Sequence, residues 1–300
     1  MIVITTPTGS IGHQVLAHVL DGVAGVAGGG EQVRVIVRDP SRLPGDVRER
    51  VDVVQGSMTD MGTVGKALDG AGSVFWVVPP NPRAASIAGH TLDFVRPLVE
   101  AVAGQGVERV VGVSSLGRGR ARDAGQISAI FALDDLVEST GVHYRSLCMP
   151  GFMDNMLWQA QPIRHHGTFF ATLPGDFATP TCATRDIAAV AAGLLLDGSW
   201  TGQESVPVLG PEDLSPNDQA RIISEVLGRP VRYQQVPAEA YRADMVRHGM
   251  TDAWARGLVG MSAAVERGAY AGELNAPRDN APTTFRQWCE EVLKPAVLAA

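Results

Sequence analysis

Along the first half of the chain, short apolar runs alternate with stretches whose apolar residues recur every three or four positions. MIVIT opens it. QVRVIVRD (32–39), VDVVQGS (51–57), SVFWVVPP (73–80), VERVVGVSS (107–115) and VHYRSLCM (142–149) follow. Each is nearly continuous in apolar residues, the pattern of a strand covered on both faces of a parallel sheet. Between the first two, Ile11, Val15, Leu16, Val19 and Leu20 mark one face of an amphipathic helix. Residues 88–104 read as another helix, and Gly141 caps the one that ends LVESTG. This alternation predicts an α/β fold, a Rossmann-type doubly wound parallel sheet.

The second half is less regular. In LSPNDQARIISEVLGRP, Ser215 stands as N-cap, Pro216 at the first helical position, Asp218 near the positive end and Gly228 at the stop. From about Val231 the pattern is mainly helical. DGVAGVAGGGEQ (21–32) reads as a flexible insert between the first helix and the second strand.

Composition narrows the partners. The net charge of −7 over 300 residues argues against a nucleic-acid phosphate tracker. Cys148, Cys182 and Cys289 form no C-x-x-C pair, so neither a disulfide framework nor a zinc site is expected. The chain enters a strand at once, without a signal-peptide pattern, and its most apolar helical stretch (186–198) is too short to cross a bilayer. The expectation is a soluble, cytoplasmic protein with no membrane partner; a homodimer is left open.

The first strand runs through TPTGSIG into a helix, an arrangement that aims backbone N–H groups and a helix's positive end at a pyrophosphate. Thr6, Thr8, Gly9, Ser10, Ile11 and Gly12 are the residues expected to hold it. Gly9 and Gly12 occupy the last two positions of a G-x-x-G-x-x-G loop, while Thr6 replaces the first glycine. Pro7 removes one donor and biases Thr6 toward an extended conformation. A plain glycine turn is the alternative. At the end of the second strand, Arg38 and Arg42 suit the 2′-phosphate of NADP(H), which is favoured; Asp39 keeps NAD(H) open, and a solvated turn is the alternative.

Strand carboxyl ends face the ligand crevice of such a sheet. That rule assigns Val78, Pro79, Ser114, Pro150, Gly151 and Phe152 to the cofactor. Pro80, Met149, Met153, Asn155 and Trp158 are assigned to a substrate pocket, with core packing the alternative for the methionines and tryptophan. Ser115 and Asn155 are the candidate catalytic groups, each with a structural reading beside it: a strand-end hydroxyl and a loop amide. RHHG (164–167) reads as a surface loop, not a metal site, since adjacent histidines point apart. Arg118, Arg120 and Arg122, in GRGRARDAG, read as a solvated loop, with attraction of an acidic substrate the alternative.

Short-chain reductases usually move a proton with Tyr and Lys spaced Y-x-x-x-K. Four positions after Tyr144, Tyr233, Tyr241 and Tyr270 stand Cys148, Pro237, Met245 and Leu274. No such pair exists here.

TPTGSIG, VIVRDPSRL, VVGVSSLG, STGVHYRSLCMPGFMDN, RDIAAVAAGLLLDG and TTFRQW stand in the order and spacing of NmrA-like proteins. The chain thus resembles this atypical branch of the short-chain dehydrogenases/reductases over nearly its whole length. The resemblance implies a Rossmann domain (1–153 and 181–226) interleaved with a small, mainly helical C-terminal lobe (154–180 and 227–300), substrate lying between them. It implies an NADPH-dependent quinone reductase or a redox-sensing regulator without turnover, and it sets Ser115 near the substrate oxygen. Three departures stand out: Thr6, Met149 in place of an arginine before Pro-Gly, and Gln126 and Ile130 where Tyr and Lys would lie.

Without that acid pair, acceptor chemistry decides. Hydride addition to a simple ketone leaves an alkoxide, whereas addition to a quinone leaves a phenolate-like anion. The ~6-unit gap between phenol and water corresponds to roughly 8 kcal/mol that no side chain need supply. The expected substrate is a small aromatic or conjugated carbonyl, a quinone or an enone. The alternative is an NADP(H)-sensing regulator bound to a protein partner.

Overall fold

The computed structural model describes residues 1–24 and 31–299. Strands β1 (Ile2–Thr5), β2 (Val33–Val37), β3 (Asp52–Gln55), β4 (Ser73–Trp76), β5 (Arg109–Ser115) and β6 (His143–Met149) are those read from the sequence. Later come β7 (Gly151–Phe152), β8 (Thr168–Ala171), β9 (Thr179–Cys182), β10 (Gln203–Pro207), β11 (Asp213–Leu214) and β12 (Arg232–Gln235). The helices are α1 (Gly12–Ala24), α2 (Gly45–Arg48), α3 (Met61–Leu68), α4 (Ile87–Gln105), α5 (Gln126–Glu138) and α6 (Ala160–His166). They continue with α7 (Thr184–Leu196), α8 (Pro216–Leu227), α9 (Ala238–Arg247), α10 (Asp252–Glu266), α11 (Phe285–Trp288) and α12 (Lys294–Ala299).

Among the described residues, seven strands form one parallel sheet in the order β10–β6–β5–β4–β1–β2–β3. Alternate residues feed opposite faces. Ile2 and Ile4 pack with α1 and α7, while Val3 joins Val64 of α3, Leu98 of α4 and Leu133 of α5. The chain leaves β1 toward β2 on one side and later returns to β4 on the other, which opens a crevice at the carboxyl ends of β1 and β4. The edge strand β10 is absent from the apolar pattern because its sequence, QESVP, is polar and half exposed.

One polar group crosses the core. Tyr144 donates to Asp134 at 2.6 Å, and Ser114 donates to the other carboxylate oxygen at 2.5 Å. The Tyr144 ring reaches across β5 only because Gly112 has no side chain there; a Cβ would lie 2.2 Å from the phenol oxygen.

The second core contains Met153, Ile163, Phe169, Ile223, Phe285 and Trp288. α8 forms as its signals foretold: the Ser215 hydroxyl accepts from the Asp218 N–H, the Asp218 carboxylate accepts in return, and Gly228 ends the helix at φ 66°. Its buried face packs in this second core, whereas α7 packs with the sheet. Amphipathic spacing shows which face is buried, not what covers it. α10 packs instead near the β5 end, with Leu116 and Ile127.

Two local expectations change. α1 continues through Ala24, and Glu31 pairs with the N-terminal amine at 2.7 Å, so the ends of the supposed insert are ordered parts of the fold. Residues 25–30 of that insert lie outside the described residues. RHHG is the last turn of α6 rather than a loop, ended by Gly167 at φ 59°, with His165 and His166 exposed.

Candidate functional site

Thr6 takes over the geometry of the missing glycine: its φ is 49°. This overturns the expectation that Pro7 holds Thr6 extended. The turn demands it, because the Gly9 N–H donates to the Thr6 carbonyl at 2.9 Å while that same carbonyl passes over Gly12. A Cβ on Gly9 would lie 3.3 Å from the oxygen, and one on Gly12 only 2.1 Å away. The backbone N–H groups of Ser10, Ile11 and Gly12 make no backbone hydrogen bond among the described residues. Those donors, at the start of α1, are what a pyrophosphate needs. Ile11 itself is anchored in the core. Gln14 braces the loop by donating to the Ser10 carbonyl at 2.6 Å and to the Thr184 hydroxyl at 3.0 Å. Thr184 in turn donates to Asp154 at 2.9 Å.

A cleft of about 650 Å³ runs outward from this loop. Thr6, Pro7, Thr8 and Gly9 line one end, Arg38 and Arg42 the other. Asp39 is engaged with its own backbone turn. One of its oxygens accepts from the Ser41 N–H at 3.0 Å and from its hydroxyl at 2.7 Å, capping the short turn Pro40–Arg42. Those hydrogen bonds hold its carboxyl below the usual range. The two guanidinium groups therefore face the cleft while the carboxylate is occupied beside it, an arrangement suited to a 2′-phosphate. Pro79 and Pro80 also line the cleft; Val78 packs back on the core.

At the β5 end the two serines part. Ser114 is buried and its hydroxyl is committed to Asp134, which takes its side chain away from the cofactor. Ser115 is half-buried and donates to the Leu116 carbonyl at 3.1 Å. Tyr270, 8 % exposed in the core that also holds Leu116, lies near enough for the Ser115 hydroxyl to act on its phenol, and burial pushes that phenol up to about 12. Beyond β6, Gly151 is exposed and Phe152 half-buried, paired with Thr181 and Cys182 of β9.

The substrate-pocket assignments need correction. Met149 is 1 % exposed in the core beneath α1 and α7, and Met153 is 3 % exposed in the second core; both are held by apolar packing and neither lines a cleft. Pro150 is likewise buried. Asn155 and Trp158 sit exposed on the turn Met153–Gln159, Trp158 at 73 %, so this tryptophan is no inner wall. Arg118, the first of the three loop arginines, is bound to Asp135 and Glu138 at 2.5 and 2.7 Å.

The sequence profile of the NmrA-like family matches residues 1–285. The chain belongs to the NmrA-like family. It is 32% identical over 252 residues to the (4-alkanoyl-5-oxo-2,5-dihydrofuran-3-yl)methyl phosphate reductase of Streptomyces griseus, covering 82% of this chain and 80% of that one. It is 29% identical over 278 residues to the NAD(P)H azoreductase of Xenophilus azovorans, covering 92% and 91%. Its fold matches that of an NADPH-dependent quinone oxidoreductase from Escherichia coli, solved with NADPH, at a TM-score of 0.78 and 20% identity, over 100% of this chain and 99% of that one.

In this NmrA-like protein the cleft has further walls that the strand-end reading passed over. Gly56, Ser57, Met58 and Thr59 line it after β3, and the same carboxyl-end rule, extended to the third strand, finds them. Asn81 lines it from the loop before α4, and His90 and Phe94 from α4 itself. His90 bonds the Pro79 carbonyl through Nε2 at 2.8 Å and lies against Phe94 and Trp254, with ring centroids 4.9 and 6.0 Å away. Thr251, at the head of α10, fixes the same wall: its N–H donates to the Pro82 carbonyl at 2.9 Å and its hydroxyl to Ala84 at 2.8 Å. No local signal in the sequence announces these contacts, nor that of Tyr270 with Ser115.

Proposed function

We propose that this chain reduces a conjugated carbonyl, an enone or a quinone, at the carboxyl end of β5. The protein is an NAD(P)H-dependent reductase. The loop from Thr6 to Gly12 holds the pyrophosphate, and Arg38 with Arg42 takes the 2′-phosphate, which favours NADP(H). Bound nicotinamide supplies the hydride. Ser115 and Tyr270 direct two hydroxyls at the acceptor oxygen, where the electron pair collects as the hydride adds to the conjugated carbon. Tyr270, kept protonated by burial, donates a hydrogen bond to that oxygen and stabilises the charge that develops there.

The observation that carries this reading is the cleft lined by Thr6 to Gly9, Arg38 and Arg42 beside N–H groups of Ser10, Ile11 and Gly12 that are unpaired among the described residues, in a chain that lacks a Tyr–Lys pair. A donor as weak as Tyr270 suits an enolate or phenolate, whose delocalised charge is held by a hydrogen bond without full proton transfer, the product then taking its proton from solvent. The relatives lend support. The Streptomyces griseus enzyme is named for a ring double bond flanked by two carbonyls, and the Xenophilus azovorans enzyme for reduction of another conjugated system.

The test follows NADPH oxidation against a panel of enones and quinones, with Gly9→Val as the control that blocks the loop. Oxidation that depends on the acceptor and vanishes in Gly9→Val supports the reading. Tight NADPH binding with no oxidation by any acceptor overturns it in favour of a regulator.

A further inference from the structure

A second concavity, about 570 Å³, lies where the loop after β5 meets the turn after α10. Arg120, Arg122 and Arg267 line it, with Asp123 and Ala269 beside them. We propose that these three arginines form an anion subsite that holds a phosphate monoester carried by the acceptor.

The walls are held firmly together. The Gly117 N–H donates to Glu273 at 3.0 Å, and a Cβ on Gly117 would lie 2.9 Å from the Ala269 carbonyl oxygen. Gly125 meets Gly257 still more closely, at 2.2 Å from a would-be Cβ to the Gly257 oxygen. Arg120 lies along Gly272, with Nε 3.0 Å from where a side chain there would begin. Two segments distant in the chain thus meet backbone to backbone, and what they present between them is guanidinium.

The charge there is compensated only in part. Arg118 next door is bound to Asp135 and Glu138. Arg120, Arg122 and Arg267 form no ion pair among the described residues, and only Asp123 opposes them within the lining. In a protein of net charge −7, three such arginines around one hollow run against the overall balance. Their planar forks match a phosphate dianion, whose three terminal oxygens and double charge accept bidentate bonds from more than one of them.

Position links the subsite to the reaction. Its wall residue Ala269 directly precedes Tyr270, and its loop begins just beyond Ser115. In this proposal the acceptor's carbonyl lies at these two hydroxyls and its charged substituent in the hollow. For the identity of the rest of the ligand, this inference rests on the reductase reading; for the anion, it does not.

The experiment compares a hydroxymethyl butenolide with its own phosphate monoester, for the wild type and for Arg120→Gln/Arg267→Gln. NADPH fluorescence titration checks that the double variant is folded. The expected result is a kcat/KM higher for the phosphate ester by about tenfold to a hundredfold, the worth of one or two charged hydrogen bonds, with the ratio near one in the double variant. Equal kcat/KM in the wild type, or a preference that survives the double substitution, overturns the subsite. If neither compound oxidises NADPH, the reductase reading falls, and calorimetric titration of the ester into the NADP complex decides the subsite separately. Binding lost in the double variant upholds it, and no binding by the wild type sinks it.

Discussion

The carbonyl oxygen of Thr6 stands where a side chain on Gly12 would begin, 2.1 Å from a would-be Cβ. Gly12→Ala must therefore push the loop off the head of α1. The expected cost is ~1–3 kcal/mol of stability, as for other overpacked sites. NADPH affinity should fall with it, read by thermal melting and fluorescence titration. Thr6→Gly should do the reverse. It relieves a β-branched residue held at φ 49°, and the gain of roughly 1 kcal/mol survives the added freedom of the unfolded glycine.

Arg38 and Arg42 face the cleft while Asp39 caps its own turn. Arg38→Ala with Arg42→Ala should weaken NADPH binding by about tenfold to a hundredfold, the loss of charge-assisted hydrogen bonds to a phosphate. NADH binding should scarcely change. Equal losses for both cofactors would show that the arginines do not read the 2′-phosphate.

Tyr270→Phe should lower kcat by about a hundredfold, on the scale of one lost oxyanion donor. NADPH affinity should stay within error, since the phenol lies at the acceptor end. With its pKa pushed up to about 12, the hydroxyl remains protonated across ordinary assay conditions. The wild-type rate should therefore show no alkaline fall assignable to this residue below that range. A kcat unchanged in the phenylalanine variant would remove Tyr270 from the reaction.

Asp134 makes stability depend on acidity. Burial, outweighing the hydrogen bonds from Ser114 and Tyr144 and the nearby Arg118, raises its carboxyl from 3.8 to about 6. The folded protein then holds a proton that the unfolded chain releases. Its contribution is fully present below about pH 4 and is lost as the pH climbs through about 6, an amount on the order of 3 kcal/mol. Urea unfolding at acid and neutral pH, compared with Asp134→Asn, isolates this group from the other carboxylates. Identical pH slopes in the two proteins would refute it.

The sheet was legible because its inner strands are apolar throughout, and α8 because Ser215, Pro216, Asp218 and Gly228 all mark its ends. β10 escaped notice because an edge strand can be polar. That Arg38, Arg42 and the glycine loop line one cleft was readable from local sequence, since a single turn supplies each of them. Tyr270 was not: its partner lies in another part of the chain, and spacing rules register only neighbours along one helix or strand. Met149 and Met153 were misplaced because the strand-end rule locates a backbone position without saying which way the side chain turns.

The walls of the proposed dinucleotide cleft come from residues 6–94, whereas the phenol and the last of the three arginines come from residues 267–270. On the proposed reading, cofactor handling is written in the earlier passage, while acceptor choice draws also on the later one. Mutations can accumulate in the later passage and retune what is reduced while the source of electrons stays fixed. Thr251 marks the limit of that freedom: by gripping Pro82 and Ala84 it makes the later passage answerable for the shape of the earlier one.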